Sequence, residues 1–301
     1  MARQPRQSPG LARLSAPHIM PPGFDYATSV ARNGGYVSAP TQALIKSTTL
    51  MIAGCGIGSS VAVCATRFGF EKFLLVDGDV VDTHNLNRQF YDFDDVGSPK
   101  VEALRRQILR INPEARVEAI AHHLDGANVD AIVARADIVF DTVDFLDLSA
   151  ILALHASARR HGVAILTALS MGFGAGVLCF PAGAPISLNA MISADIAGAD
   201  PDPGDARDYA RVFASIIRRI ASHLDTQVVE QIAATLDSMQ SGKPCPASQL
   251  AVGSFAVAAM AVSLMHDLLA GNSVPCAPEM VVHSFRTHRT LLVDITTPAS
   301  H

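Results

Sequence analysis

The chain has no tryptophan, and aromatic residues make up only 6% of its 301 positions. Proteins that stack nucleobases need aromatic faces. A basic stripe is missing too: the net charge is −5 and the lysines and arginines do not cluster. Both absences argue against nucleic-acid binding. The five cysteines, at 55, 64, 179, 245 and 276, are odd in number and form no C-x-x-C pair. That argues against a disulfide framework in a chain of this size and excludes a structural zinc held by two such pairs. Residues 1–23 carry Arg and Pro but no apolar signal-peptide core, and are expected to form a flexible tail. Leu250–Met265 is the only membrane-like run. It falls short of the ~18–20 residues of a bilayer span, and His266 and Asp267 follow it directly. It reads as a buried core or interface helix. A charged fraction of only 17% against 49% hydrophobic residues fits a folded, well-buried protein. A cytoplasmic protein with no membrane or nucleic-acid partner is expected.

What the chain does have is concentrated between Leu50 and Lys100. The segment TLMIAGCGIGSSVAVCATRFGF is a short apolar run, then glycines, then a helical pattern. A strand, a glycine turn and a helix make a phosphate cradle from backbone N–H groups. Gly54, Gly56 and Gly58 give that turn its conformational freedom. The next apolar run, Phe73–Val76, ends in Asp77, placed to bind ribose hydroxyls. Behind it come Asp79, Asn85, Arg88, Gln89 and, in VGSPK, Lys100. Arg88 offers a fork matching phosphate oxygens. An unpaired Lys100 at a helix start would oppose the helix dipole, so a triphosphate nearby is expected to account for it.

These residues carry a resemblance. GCGIGSS, DGDVVDTHNLNRQ, VGSPK and FDTVD at 140–144 resemble, in order, the motifs of the ThiF/MoeB/E1 superfamily. Those enzymes use ATP to adenylate a carboxylate, often the C-terminus of a ubiquitin-like protein. The likeness is strongest over residues 28–180. It implies ATP and Mg²⁺ as cofactors, phosphate contacts from Asn85 and Arg88, and Mg²⁺ held by Asp144. It also implies that Arg32, in an R-N-x-G-x-V…Q segment, reaches the terminal phosphate of a homodimer partner's ATP. The chain departs from the pattern in three places. Its glycine loop is one residue shorter, Phe145 stands where Asn is usual, and the zinc-binding cysteine pairs are absent.

The remaining pattern predicts an α/β fold: a Rossmann-like, mostly parallel sheet flanked by helices, with C-terminal antiparallel strands. Strands are expected at Leu50–Ala53, Phe73–Val76, Arg116–Ile120, Asp137–Phe140, Val163–Leu169, Met280–Phe285 and Thr290–Asp294, with a return strand within Ser170–Cys179. Helices are expected at Val61–Phe68, Val101–Ile111, Ala127–Ala134, Asp147–His161, Arg207–His223 and Thr226–Ser241. Residues 24–301 are read as one adenylation domain with a helical insertion at about 200–245, after a loop at Asp195–Asp208. His122 and His123 are adjacent, so they do not face each other as a metal pair. Cys55 and Cys64 are read as packing residues. Cys245, in SGKPCPAS, is a free loop thiol or a nucleophile.

The substrate is expected to be the C-terminus of a ubiquitin-like or sulfur-carrier protein, or of a peptide. Adenylation of a small-molecule or tRNA-bound carboxylate is one alternative. A NAD(P)-binding oxidoreductase is a second, although NLNRQ and Lys100 have no task there. A non-catalytic subunit pairing with an active relative is a third, and the intact Arg88, Lys100 and Asp144 speak against it.

Overall fold

The computed structural model describes residues 23–144, 147–195, 214, 217–240 and 248–296. Residues 1–22, most of the 195–208 loop, Phe145, part of the 207–223 helix and Cys245 lie outside them.

One eight-stranded sheet runs through the molecule in the order β3-β2-β1-β4-β5-β6-β7-β8. The strands are β1 (Thr49–Ala53), β2 (Lys72–Val76), β3 (Arg116–Ile120), β4 (Ile138–Asp141), β5 (Ala164–Ser170), β6 (Gly174–Phe180), β7 (Glu279–Ser284) and β8 (Arg289–Asp294). The first five are parallel; β6, β7 and β8 add on in antiparallel pairs. The predicted mostly parallel sheet with antiparallel C-terminal strands is therefore present. Helices connect the parallel strands because parallel neighbours need a crossover.

Successive residues of a strand face opposite sides, and β1 divides its apolar run accordingly. Leu50 and Ile52 pack with α2 (Ala39–Ser47), α3 (Gly58–Phe68), α4 (Lys100–Ile111) and α9 (Ala251–Ala270). Met51 and Ala53 pack on the other side with α5 (Val129–Val133), α6 (Leu148–His161), α7 (Leu188–Asp195) and residues 217–228, which lead into α8 (Thr226–Gln240). Short apolar strands covered on both faces are what a parallel sheet requires.

Most boundaries shift from expectation by a residue or two, and two helices differ more. Helix α3 begins at Gly58 rather than Val61, because the glycine turn runs straight into it. The apolar helix α9 continues past His266 and Asp267 to Ala270. At 20 residues it is long and apolar enough to cross a membrane, and half of its most apolar window is buried in the protein. It lies against α3 and strands β5 and β6. His266 meets the ring of Phe68 edge-on, with centroids 5.9 Å apart.

The order of the strands reverses at β1, whose neighbours are β2 and β4. Open α/β sheets bind ligands at the carboxyl ends of such strands. Here the two strands come very close: a Cβ on Gly54 would lie 2.2 Å from the carbonyl oxygen of Thr142. Gly54 also has φ +86, a region costly for other residues. Gly54→Ala is therefore expected to destabilise the fold by about 2–3 kcal/mol, read from urea denaturation. A loss within error of zero would contradict this packing.

Candidate active site

The glycine turn is held at both ends by hydrogen bonds. Thr142 N donates to Ala53 O at 2.8 Å, and Thr142 Oγ1 to Gly54 O at 2.7 Å. Asp77, at the end of β2, braces the same turn. One carboxylate oxygen accepts from Cys55 N at 2.6 Å and the other from Asp79 N at 2.8 Å. Burial pushes its carboxyl above the usual range, against the pull of Lys100 and of these two N–H bonds. Ser59 donates to Gly56 O and accepts from Phe90 N. Tyr91, buried, donates its hydroxyl to Cys55 O at 2.7 Å and also reaches Lys100 O at 3.3 Å.

Lys100 opens α4 and is only 7% exposed. The expectation of an unpaired cation is corrected: its Nζ lies 2.7 Å from Asp79 Oδ2. Its backbone N–H donates to Asp79 O at 2.9 Å as well. A buried ammonium must be paired, and the D-x-D motif supplies the partner. Arg88 lies half-buried, with burial pulling its guanidinium below the ordinary value. Nε donates to Gln249 Oε1, and Nη1 to His84 O and Asn87 Oδ1, both at 2.9 Å.

Asn85 is buried and closes a capping box around the 3-10 turn Thr83–Asn85: its Oδ1 accepts from Asp82 N. Gln89 is buried as well, and its amide nitrogen lies 3.2 Å from where a Cβ on Gly56 would stand. Its Oε1 is buried with no hydrogen-bond partner. Such an acceptor is what a ligand N–H or O–H satisfies. The bare Gly56 leaves room for this Gln89 amide against the turn.

Asp144 is exposed, three residues beyond the end of β4. Behind it lies a buried polar network. Asp141 Oδ1 accepts from Val143 N, while Oδ2 lies 3.1 Å from His155 Nε2 and 3.0 Å from Thr167 Oγ1. This network fixes the turn that carries Asp144. Among the described residues no group of three or more His, Cys, Asp or Glu could hold a metal. A single carboxylate fits Mg²⁺, which keeps waters and takes phosphate oxygens rather than sitting in a protein cage. His123 reaches only Asp79, at 3.9 Å, and is exposed.

Arg32 is not with the others. It is exposed in the 3-10 turn Ala31–Asn33. Its neighbour Asn33 donates to Phe68 O and to Gln42; Gln42 donates to Phe68 O and Tyr26, and Tyr26 to Gly69 O. The R-N-x-G-x-V…Q segment is thus docked on the C-terminal end of α3, while the glycine turn lies at its N-terminal end. Those ends are about 16 Å apart for an 11-residue helix.

Sequence reasoning placed the turn, Asp77, Asp79, Lys100 and Asp144 on one sheet edge, and the structure does so. It missed Tyr91, Thr142 and Gln249. Thr142 lies within the quoted FDTVD, and Tyr91 stands two positions past the end of DGDVVDTHNLNRQ. Gln249 follows 161 residues after Arg88, and no local pattern links them.

The model of the ThiF family matches residues 30–292. SAMP-activating enzyme E1 of Haloferax volcanii is 33% identical over 102 residues, which are 34% of this chain and 38% of that one. Sulfur carrier protein ThiS adenylyltransferase of Escherichia coli is 29% identical over 134 residues, 44% of this chain and 53% of that one. The matches thus span about half the length of these curated relatives or less. In structure the chain is similar to E. coli MccB with ATP, with TM-score 0.61 at 20% identity over 85% of this chain and 66% of that one. At that identity the likeness concerns the fold.

None of the described cysteines beside the site suits a nucleophile. Burial raises Cys55 and Cys64, and Cys179 is pushed up to about 12. In the native protein at pH 8, Cys55 and Cys179 are expected to resist iodoacetamide and to react fully once unfolded. Mass-spectrometric labelling reads this; rapid native labelling of Cys55 would contradict the buried loop.

Proposed function

The chain belongs to the ThiF family, and on that premise we propose that it is an ATP-dependent adenylyltransferase that activates the C-terminal carboxylate of a ubiquitin-like or sulfur-carrier protein, or of a peptide. The observation that carries this reading is the convergence of a glycine turn, Asp77, Lys100 and Asp144 on one sheet edge. A redox dinucleotide needs the first two; the buried lysine and the exposed carboxylate suit a triphosphate with its cation. The relative named for adenylylating ThiS supports a protein C-terminus as the carboxylate.

Adenylation needs little acid–base chemistry, because a carboxylate already is a nucleophile. Its oxygen bonds to the α-phosphorus, the bond from that phosphorus to the β-phosphate's bridging oxygen breaks, and pyrophosphate leaves. The residues position these groups and spread the developing charge. Backbone N–H groups of Gly54–Gly58 cradle phosphate, and Asp77, which also braces the turn, takes the ribose. Asp79 keeps the buried Lys100 paired until phosphate oxygens compete for it. Arg88 adds a second cation, while Asn85 and Gln89 shape the segment beneath. Asp144 would hold Mg²⁺, which supplies charge neutralisation when bound. We read residues 24–301 as one adenylation domain. A cytoplasmic reaction fits this reading, since ATP is supplied there.

Arg32 sits too far along α3 to serve its own glycine turn, which supports a homodimer in which each arginine serves its partner's ATP. Two experiments test the proposal. In ATP–pyrophosphate exchange with candidate C-terminal peptides, Lys100→Ala and Arg88→Ala are expected to lower exchange at least 10²-fold with an unchanged melting temperature; wild-type exchange in both removes the reading. Mixing inactive Arg32→Ala with inactive Lys100→Ala subunits should restore activity at about a quarter of the sites, since half the dimers are mixed and each mixed dimer holds one intact site. No recovery after subunit exchange contradicts the shared site.

A further inference from the structure

The two site cations are oriented in different ways. Lys100 takes its partner from Asp79, in the neighbouring motif. Arg88 takes one of its own from Gln249, immediately before helix α9 and far away in sequence. We propose that Gln249 is a positioning residue for the reaction: it sets the guanidinium of Arg88 so that only the Nη2 edge is left to meet phosphate. This rests on the adenylation reading above and extends it to a residue outside every motif.

The count of donors carries the proposal. A guanidinium has five N–H groups: one on Nε, two on Nη1 and two on Nη2. The Nε hydrogen goes to Gln249 Oε1. The two on Nη1 go to His84 O and Asn87 Oδ1, each at 2.9 Å. Three of five donors are thus used within the protein, and they fix the plane of the fork. The pair on Nη2 remains for a ligand.

Gln249 is itself held. Asn87 Nδ2 donates to its backbone carbonyl at 3.0 Å. The helix that follows is locked beside the glycine turn: Ser60, in the first turn of α3, donates to Ser254 O at 3.0 Å. The rings of Phe90 and Phe255 meet edge-on with centroids 4.9 Å apart. Segment 87–90 and the start of α9 therefore form one clasp around Arg88, with Gln249 as its acceptor. Asn87 both holds Gln249 and accepts from Arg88, so the clasp closes on itself.

The type of acceptor matters. A neutral amide orients the guanidinium without cancelling its charge, so the full cation faces phosphate. A carboxylate would hold the same hydrogen bond more strongly but would neutralise the group it aims. This distinguishes positioning from simple bracing. If Gln249 only braced the structure, Gln249→Glu would preserve function.

The test is ATP–pyrophosphate exchange by the full chain as Gln249→Met and Gln249→Glu, with melting temperature measured on each. Methionine keeps the length and removes the acceptor; glutamate keeps the acceptor and adds charge. Both are expected to raise the KM for ATP about tenfold, methionine by removing one hydrogen bond to a charged group and glutamate by neutralising the cation that meets phosphate, with melting temperatures near wild type. A wild-type KM in Gln249→Glu overturns the proposal, and so does a wild-type KM in Gln249→Met. Arg88→Ala, run alongside, separates the two levels. If it abolishes exchange while both Gln249 variants behave as wild type, the clasp is wrong and adenylation stands. If it has no effect, both fall.

Discussion

The site depends on one close approach. Where β1 and β4 part, Gly54 and Thr142 lie so near that no side chain fits between them, and Thr142 ties both its backbone and its hydroxyl to the end of β1. The glycine turn emerges from one strand and the Asp144 turn from the other. The contact sets the spacing between the glycine turn, proposed to cradle phosphate, and the Asp144 carboxylate, proposed to share a cation with it. Asp77 fixes the turn from the β2 side by accepting from Cys55 N, and the Asp141–His155–Thr167 network fixes the Asp144 side from below. The first brace is half-buried and the second has a buried Asp141–His155 pair at its centre, a setting where satisfied hydrogen bonds favour a single arrangement.

Charge is arranged on that frame so that each cation has a protein partner before any ligand arrives. Lys100 is paired with Asp79, and Arg88 is bound by a neutral amide and two other oxygens. A triphosphate can displace an ion pair, because it brings more negative charge than the single carboxylate it replaces. The third cation, Arg32, is docked at the opposite end of α3 through Asn33 and Gln42. Its distance from its own chain's glycine turn is what supports the proposed site shared by two subunits.

Much of this was legible in the sequence because it is local. Apolar runs of four or five residues followed by glycine or aspartate mark strand ends, and β1, β2 and β4 are found there. Glycines mark the turn, and Asp77 follows the second run. Two things were less legible. The pairing of Lys100 with Asp79 was missed because an ion pair across 21 residues leaves no periodic trace, although both residues had been singled out. The contact of Gln249 with Arg88 depends on α9 lying parallel to α3 with their first turns level, a tertiary fact that no local pattern encodes. Helix α9 was judged too short for the same reason: His266 and Asp267 read as a polar stop, yet in the fold His266 rests against Phe68 and the helix runs on.

The measurement that bears most directly on this account is calorimetric titration of the full chain with ATP and Mg²⁺, alongside NAD and NADP. Saturable heat with ATP, and none with either dinucleotide, is the result predicted. Binding of a nicotinamide dinucleotide in place of ATP, or no heat with ATP at all, would contradict it.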